Sequence, residues 1–192
     1  NVAEAIDPYT DIILIGDSLG SVLYNYSSTR KVTLDTMIEH SKSARLGIKN
    51  SLMVVDMPFR TYTNKFTALK NAKRIIKETK CDAVKLEGGS SIIKIIEHLI
   101  KNKVPVMGHL GILPQSVRGK FKFKGKKINE RNKILYDALL LEKKGVFSIV
   151  LECVETNLAK EISNKLKIPT IGIGSSKYCD GQVLVIDDLI GL

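Results

Sequence analysis

Short apolar runs that do not alternate, each closed by a polar or glycine-rich turn, recur along this chain with amphipathic stretches between them. The runs are Asp11–Ile15, Leu52–Asp56, Ala83–Glu87, Val104–Gly108, Phe147–Glu152, Thr170–Gly174 and Gln182–Ile186. Segments apolar on both faces fit strands inside a parallel sheet that helices cover. The stretches between them have the spacing of such helices. Asn64 is placed to cap one whose inward face is Phe66, Leu69, Ala72, Ile75 and Ile76. Ser90 or Ser91 would cap the next, with Ile92, Ile95, Ile96 and Leu99 inward. Ile134, Leu135, Ala138, Leu139 and Leu141 mark a third, ended by Gly145, and Leu158, Ile162 and Leu166 a fourth before Pro169. A weaker helix runs from Asp35 to Arg45 and closes at Gly47. This βαβα order predicts one α/β domain over residues 1–192.

Seven strands fit either an open doubly wound sheet or an incomplete (β/α)8 barrel. Polar residues collect at the strand ends: Gly16-Asp17-Ser18, Asp56, Lys85 to Gly89, Gly108-His109, Glu152-Cys153 and Gly172 to Ser175. A parallel barrel turns all such ends to one mouth, where active sites are built, so the barrel is preferred. Asp56, Lys85, Glu87 and Glu152 sit in or at the end of buried strands, where an ion costs several kcal/mol unless paired or metal-bound. Acids around one mouth call for a cation, and the lack of a Cys or His cluster favours Mg2+ over zinc. Singly, each residue has a plainer role. Asp17 can be a turn residue, Lys85 and Glu87 a structural ion pair on one strand face, and His109 a satisfied core histidine.

Composition narrows the class. The chain has 192 residues, 44% of them hydrophobic, which excludes a disordered polymer. No apolar run nears the ~18 residues of a membrane span, and the start shows no signal peptide, so a cytoplasmic protein is expected. The first residue is Asn1, not Met. Of the net charge of +10, Arg118 to Lys133 supplies +7, eight basic residues against Glu130. The basic character is therefore one lysine-rich stretch, expected to be a solvated loop, and no nucleic-acid face is predicted. Cys81, Cys153 and Cys179 form no CxxC pair and read as free, reduced thiols.

The ordered motifs Gly16-Asp17-Ser18-Leu19-Gly20, Val32-Thr33-Leu34-Asp35, Asp56-Met57-Pro58-Phe59, Val84-Lys85-Leu86-Glu87-Gly88-Gly89, Gly108-His109-Leu110-Gly111 with Pro114-Gln115-Ser116-Val117, Leu151-Glu152-Cys153-Val154, and Ile171 to Gly174 with Asp180 to Val185 resemble the ketopantoate hydroxymethyltransferase family. The resemblance runs from Asp11 almost to the C-terminus. It implies a Mg2+-dependent (β/α)8 TIM barrel of the phosphoenolpyruvate/pyruvate-type superfamily. The reaction implied takes 3-methyl-2-oxobutanoate and 5,10-methylenetetrahydrofolate to 2-dehydropantoate in pantothenate biosynthesis. It also implies a homo-oligomer, commonly a decamer. By motif position Asp17 and Asp56 match metal ligands that also meet substrate, with Glu87 on the outer coordination of the metal. Ser18 and Lys85 match residues that hold the oxoacid, Glu152 matches the proton acceptor, and His109 has a supporting role. Desolvation at the end of an apolar strand would raise the basicity of Glu152.

The family has a further strand before Asp11 and helix beyond the last strand, so this barrel is expected to be incomplete at both ends. Ser175 and Ser176 stand where the family has Ala-Gly, and Gly119–Gly125 is shorter and more basic than the family's loop. Two other readings are weighed against this one. One is a different Mg2+-dependent oxoacid enzyme of the isocitrate lyase or phosphoenolpyruvate mutase type. The other is a barrel remnant without catalytic activity.

Overall fold

The computed structural model describes residues 2–116 and 122–191. They divide into two compact units: residues up to Leu86 together with Lys94–Val106, and Glu87–Ile93 together with Met107 onward. The elements in chain order are α1 (Val2–Ile6), β1 (Ile12–Ile15), α2 (Leu19–Val22), α3 (Leu34–Arg45), β2 (Leu52–Asp56), α4 (Lys65–Thr79), β3 (Ala83–Glu87), α5 (Ile93–Lys101), β4 (Val106–Gly111), α6 (Ile128–Lys144), β5 (Ser148–Glu152), α7 (Thr156–Lys165), β6 (Thr170–Ile173), β7 (Gly181–Gln182) and α8 (Ile186–Ile190). Among the described residues no helix is long and apolar enough to cross a membrane.

In the first unit β1, β2 and β3 are parallel, with Ile15 opposite Val55 and Asp56 opposite Lys85. Met53, Val54 and Val55 are wholly buried, as expected of a strand covered on both faces. Helix α3 starts at Thr33, whose hydroxyl accepts the Thr36 amide, and turns Met37 and Ile38 inward. Asn64 caps α4 by accepting the Phe66 and Thr67 amides. The buried face of α4 is Ala68, Ala72 and Ile75, whereas Phe66 is exposed and meets the His98 ring edge-on. Phe66 was expected in the core, but two residues before Ala68 it falls about 200° around the helix from the buried stripe.

Asp7, just after α1, sets where β2 begins. Its carboxylate accepts the amides of Ser51, Lys49 and Asn50 at 2.9–3.1 Å, and those donors hold it well below the usual carboxylate range. Periodicity gave no warning of it.

In the second unit β4, β5, β6 and β7 follow in parallel, with Gly111 opposite Glu152 and Glu152 opposite Ile173. Gly145 ends α6 in the left-handed region (φ 95°), as its position implied. Three expectations are corrected here. Neither Ser90 nor Ser91 caps the next helix through its side chain; the Ser90 amide is taken by Asp137 of α6 at 3.0 Å. The strand expected at Gln182–Ile186 is only Gly181–Gln182, because Ile186 opens α8 with Asp187 and Asp188 in its first turn. The stretch 118–133 is not one loop: Arg131 and Lys133 lie on α6, which begins at Ile128, while Arg118 and Lys120 fall outside the described residues. In addition, β4 starts two residues later than expected and runs on through His109 to Gly111.

Candidate active site

In the first unit the chemistry sits where β1, β2 and β3 end. Parallel register puts Asp56 beside Lys85, and Lys85 Nζ lies 2.8 Å from Asp56 Oδ1 with both side chains only 6% exposed. The other oxygen, Asp56 Oδ2, accepts the Asp17 amide at 3.1 Å. The turn leaving β1 is thereby clamped onto β2, and Asp17 becomes a second buried acid in the same turn. Ser18 follows as an exposed residue at the start of α2, where its hydroxyl makes no capping bond.

In the second unit a carboxylate, an imidazole and another carboxylate form a row. His109 on β4 is almost completely buried, with Nε2 3.0 Å from Glu152 Oε2 and Nδ1 3.7 Å from Glu87 Oε1. Glu152 is one strand over and two residues past Val150, the partner of His109, which brings it diagonally against His109 on the same sheet face. Glu87 is held from two sides: the Gln115 amide donates to Oε2 at 3.0 Å, and the next amide, Gly88, donates to the His109 carbonyl at 3.0 Å. The far end opens outward, since the Glu152 side chain is 19% exposed against 4% for Glu87.

These motifs do not stand alone. Residues 1–192 match the family described as ketopantoate hydroxymethyltransferase. The chain belongs to this family. It is 69% identical over 192 residues to a Pelagibacter ubique protein named 3-methyl-2-oxobutanoate hydroxymethyltransferase, covering all of this chain and 74% of that one. It is 52% identical over 185 residues to the protein of that name from Acetivibrio thermocellus, covering 95% of this chain and 65% of that one. Among solved structures, 2,3-dimethylmalate lyase, a PEP mutase/isocitrate lyase superfamily member, aligns with TM-score 0.66 at 10% identity over 88% of this chain and 61% of that one. Phosphonopyruvate hydrolase, solved with oxalate and Mg2+, aligns with TM-score 0.65 at 10% identity over 90% of this chain and 63% of that one. At such identity these likenesses show the fold alone. It is a parallel α/β fold, as the order of strands and helices implied.

In this chain Asp17, Ser18, Asp56 and Lys85 share the turns of the first unit, and Glu87, His109 and Glu152 form the row in the second. No three His, Cys, Asp or Glu side chains among the described residues converge as a ready metal cage. The residues nevertheless fit Mg2+. Asp56 Oδ1 faces the Lys85 ammonium at 2.8 Å, and buried Asp17 adds a second hard oxygen donor in the same turns. Mg2+ commonly takes one or two carboxylates and completes its shell with water and substrate oxygens. Within the second unit, Glu87 Oε2 accepts the Gln115 amide and Oε1 faces His109 Nδ1 at 3.7 Å.

Two supporting residues escaped the sequence reading. Asp137 takes the Ser90 amide while Lys133 Nζ lies 2.6 Å from each of its oxygens and from Ser90 Oγ. A side chain on Gly89 would overlap the Asp137 carboxylate, so this turn directly after Glu87 needs glycine. The signal was present: Asp137 interrupts the apolar face made by Ile134, Ala138 and Leu141. Gln115 acts through its backbone, which no side-chain pattern reveals.

Proposed function

We propose that this chain transfers the one-carbon unit of 5,10-methylenetetrahydrofolate to C3 of 3-methyl-2-oxobutanoate, giving 2-dehydropantoate and tetrahydrofolate on the route to pantothenate. The observation that carries the reading is the Glu152–His109–Glu87 row, one end buried and the other opening outward. The reaction needs a base for the weakly acidic C–H beside a ketone, and a carboxylate with an imidazole at 3.0 Å supplies one.

In this scheme Glu152 removes the C3 proton, and His109 Nε2 holds the Glu152 carboxyl in position throughout. Glu87 keeps the ring oriented from the Nδ1 side. Lys85 and Ser18 bind the carboxylate of the oxoacid. Asp17 and Asp56 would hold Mg2+, with Glu87 outside its shell; bound there, Mg2+ supplies Lewis acidity for charge growing on the keto oxygen. The Lys85 ammonium, 2.8 Å from Asp56 Oδ1, would turn from that oxygen to the oxoacid carboxylate. The C3–H bond breaks and a bond from C3 to the folate methylene forms. The two bonds from that methylene to N5 and N10 break, water provides the hydroxyl oxygen, and the C3 proton and one proton of the water end on the nitrogens of tetrahydrofolate. Assembly with further copies of the chain is part of the same reading and is measured by light scattering.

The test follows the C3 proton of 3-methyl-2-oxobutanoate by NMR in D2O with Mg2+, then 2-dehydropantoate by mass spectrometry after methylenetetrahydrofolate is added. Exchange without folate and product with it are expected, both abolished by EDTA and restored by Mg2+. Turnover of phosphonopyruvate alone would move the chain to the phosphoenolpyruvate mutase type. No turnover of either oxoacid would leave a fold without catalysis.

A further inference from the structure

One strongly charged feature has no part in that scheme. Residues 122–127 are Lys-Phe-Lys-Gly-Lys-Lys, and they do not trail away from the protein. Lys124 forms an isolated parallel bridge with Val154: its amide donates to the Cys153 carbonyl at 2.8 Å, and its carbonyl accepts the Glu155 amide at 2.8 Å. Gly125, in the left-handed region at φ 86°, donates its amide to Glu130 at the start of α6. The lysine ribbon is therefore bonded to the residues that directly follow Glu152, at the strand end from which that carboxylate reaches outward. Local acids neutralise Lys124 and the basic residues that follow the ribbon, but not its other lysines. Lys124 meets Glu130, Arg131 meets Glu155 and Glu161, and Lys133 meets Asp137. Lys122, Lys126 and Lys127 are exposed and have no ion-pair partner among the described residues. Exposed Phe123 stands among them, with Lys126 Nζ 5.7 Å from its ring centre.

We infer that this ribbon is a subsite for the glutamyl tail of the folate co-substrate. The inference rests on the proposed reaction and deepens it by naming the end of the folate that the ribbon takes. Pterin and methylene must reach the proton-abstracting carboxylate, whereas the tail is a flexible chain of carboxylates that has to lie somewhere on the rim. Lys124 is bonded through its backbone to Cys153 and Glu155, one and three residues past Glu152. The unpaired ammonium groups of Lys122, Lys126 and Lys127 lie within three residues of Lys124, which matches the tail in charge and place. Phe123 offers a flat apolar face for the aromatic spacer between pterin and tail. A ribbon of this kind distinguishes tails by length, because each added glutamate brings another carboxylate to unpaired lysines.

The experiment compares the KM for monoglutamyl and pentaglutamyl methylenetetrahydrofolate, in the protein as it stands and in the triple variant Lys122→Gln, Lys126→Gln, Lys127→Gln. The expected result is a KM about three- to tenfold lower for the long tail at low salt, shrinking toward equality in 0.5 M salt and in the variant. Folate-independent C3 exchange should be the same in both proteins, which shows the variant folded and the chemistry intact. Equal KM for the two tails at low salt overturns the subsite, as does a tail preference that survives the triple variant. Salt-sensitive binding of RNA without any tail preference would assign the ribbon to nucleic acid and also overturn it. Loss of C3 exchange in the unaltered protein refutes the proposed reaction itself, so the two failures are distinguishable.

Discussion

The two clusters of charged groups solve the problem of a buried ion differently. At the ends of β2 and β3 an ammonium and a carboxylate face each other 2.8 Å apart, with 6% exposure on each side chain. In the second unit the charges are strung along an imidazole, and the last of them, Glu152, reaches outward. A closed pair holds charge in place, since separating it strands an ion in a low dielectric. A row containing histidine can pass or share a proton, because imidazole both donates and accepts near neutral pH. The first cluster therefore suits holding a cation and an anionic substrate, and the second suits moving a proton.

The sharpest way to break this contrast is Lys85→Ala. It leaves Asp56 buried without its counter-charge, and we expect a loss of about 3–5 kcal/mol in urea unfolding together with loss of turnover. A variant as stable as the parent would mean that the pair is not closed. Next in size is Glu152→Gln, which should leave the urea midpoint nearly unchanged while C3 exchange in D2O falls by about 10²–10⁴. Exchange at the parental rate would remove Glu152 as the base.

A smaller effect concerns the anchor of the first unit. Asp7 titrates below its ordinary value of 3.8, so the stability it confers is complete above that pH and drains away as acid approaches its lowered value. Asp7→Ala should lower the melting temperature by several degrees at pH 7 and by progressively less as the pH drops below 4. A difference independent of pH would show that the carboxylate charge is not what matters. The smallest effect lies beside Glu152. Burial, and then the Glu152 charge, push the Cys153 thiol above its ordinary range. Glu152→Gln should make Cys153 react modestly faster with iodoacetamide at pH 8, read by mass spectrometry of its peptide. An unchanged rate would mean that Glu152 leaves the thiol unaffected.

Much of this was legible in the chain because it rests on local physics. Strands β2, β3 and β5 announce themselves as apolar runs ending in acids, and Asn64 and Gly145 carry the chemistry of helix ends; Glu155, which caps α7, went unnamed. Glu155 accepts the Asn157 and Leu158 amides, which hold its carboxyl low. What escaped depends on partners distant in sequence. Asp7 anchors a turn more than forty residues away, and Asp137 performs the capping that Ser90 was expected to provide. The last strand was overestimated because an apolar, β-branched run such as Val183 to Ile186 reads alike whether or not a neighbouring strand pairs with it.

Family, fold class and the residue types of the site follow from the sequence, since motif order and hydrophobic period are properties of the chain itself. The lysine-rich stretch shows what sequence leaves open. Composition identified eight basic residues and implied a solvated loop, yet charge count has no direction. Backbone bonds from Lys124 to Cys153 and Glu155 tie part of that stretch beside Glu152, and only the fold decides such pairings, because a bridge forms where two segments meet in space. Which charges are neutralised is decided the same way: Lys133 finds Asp137 one helical turn on, while Lys122 and Lys127 face outward.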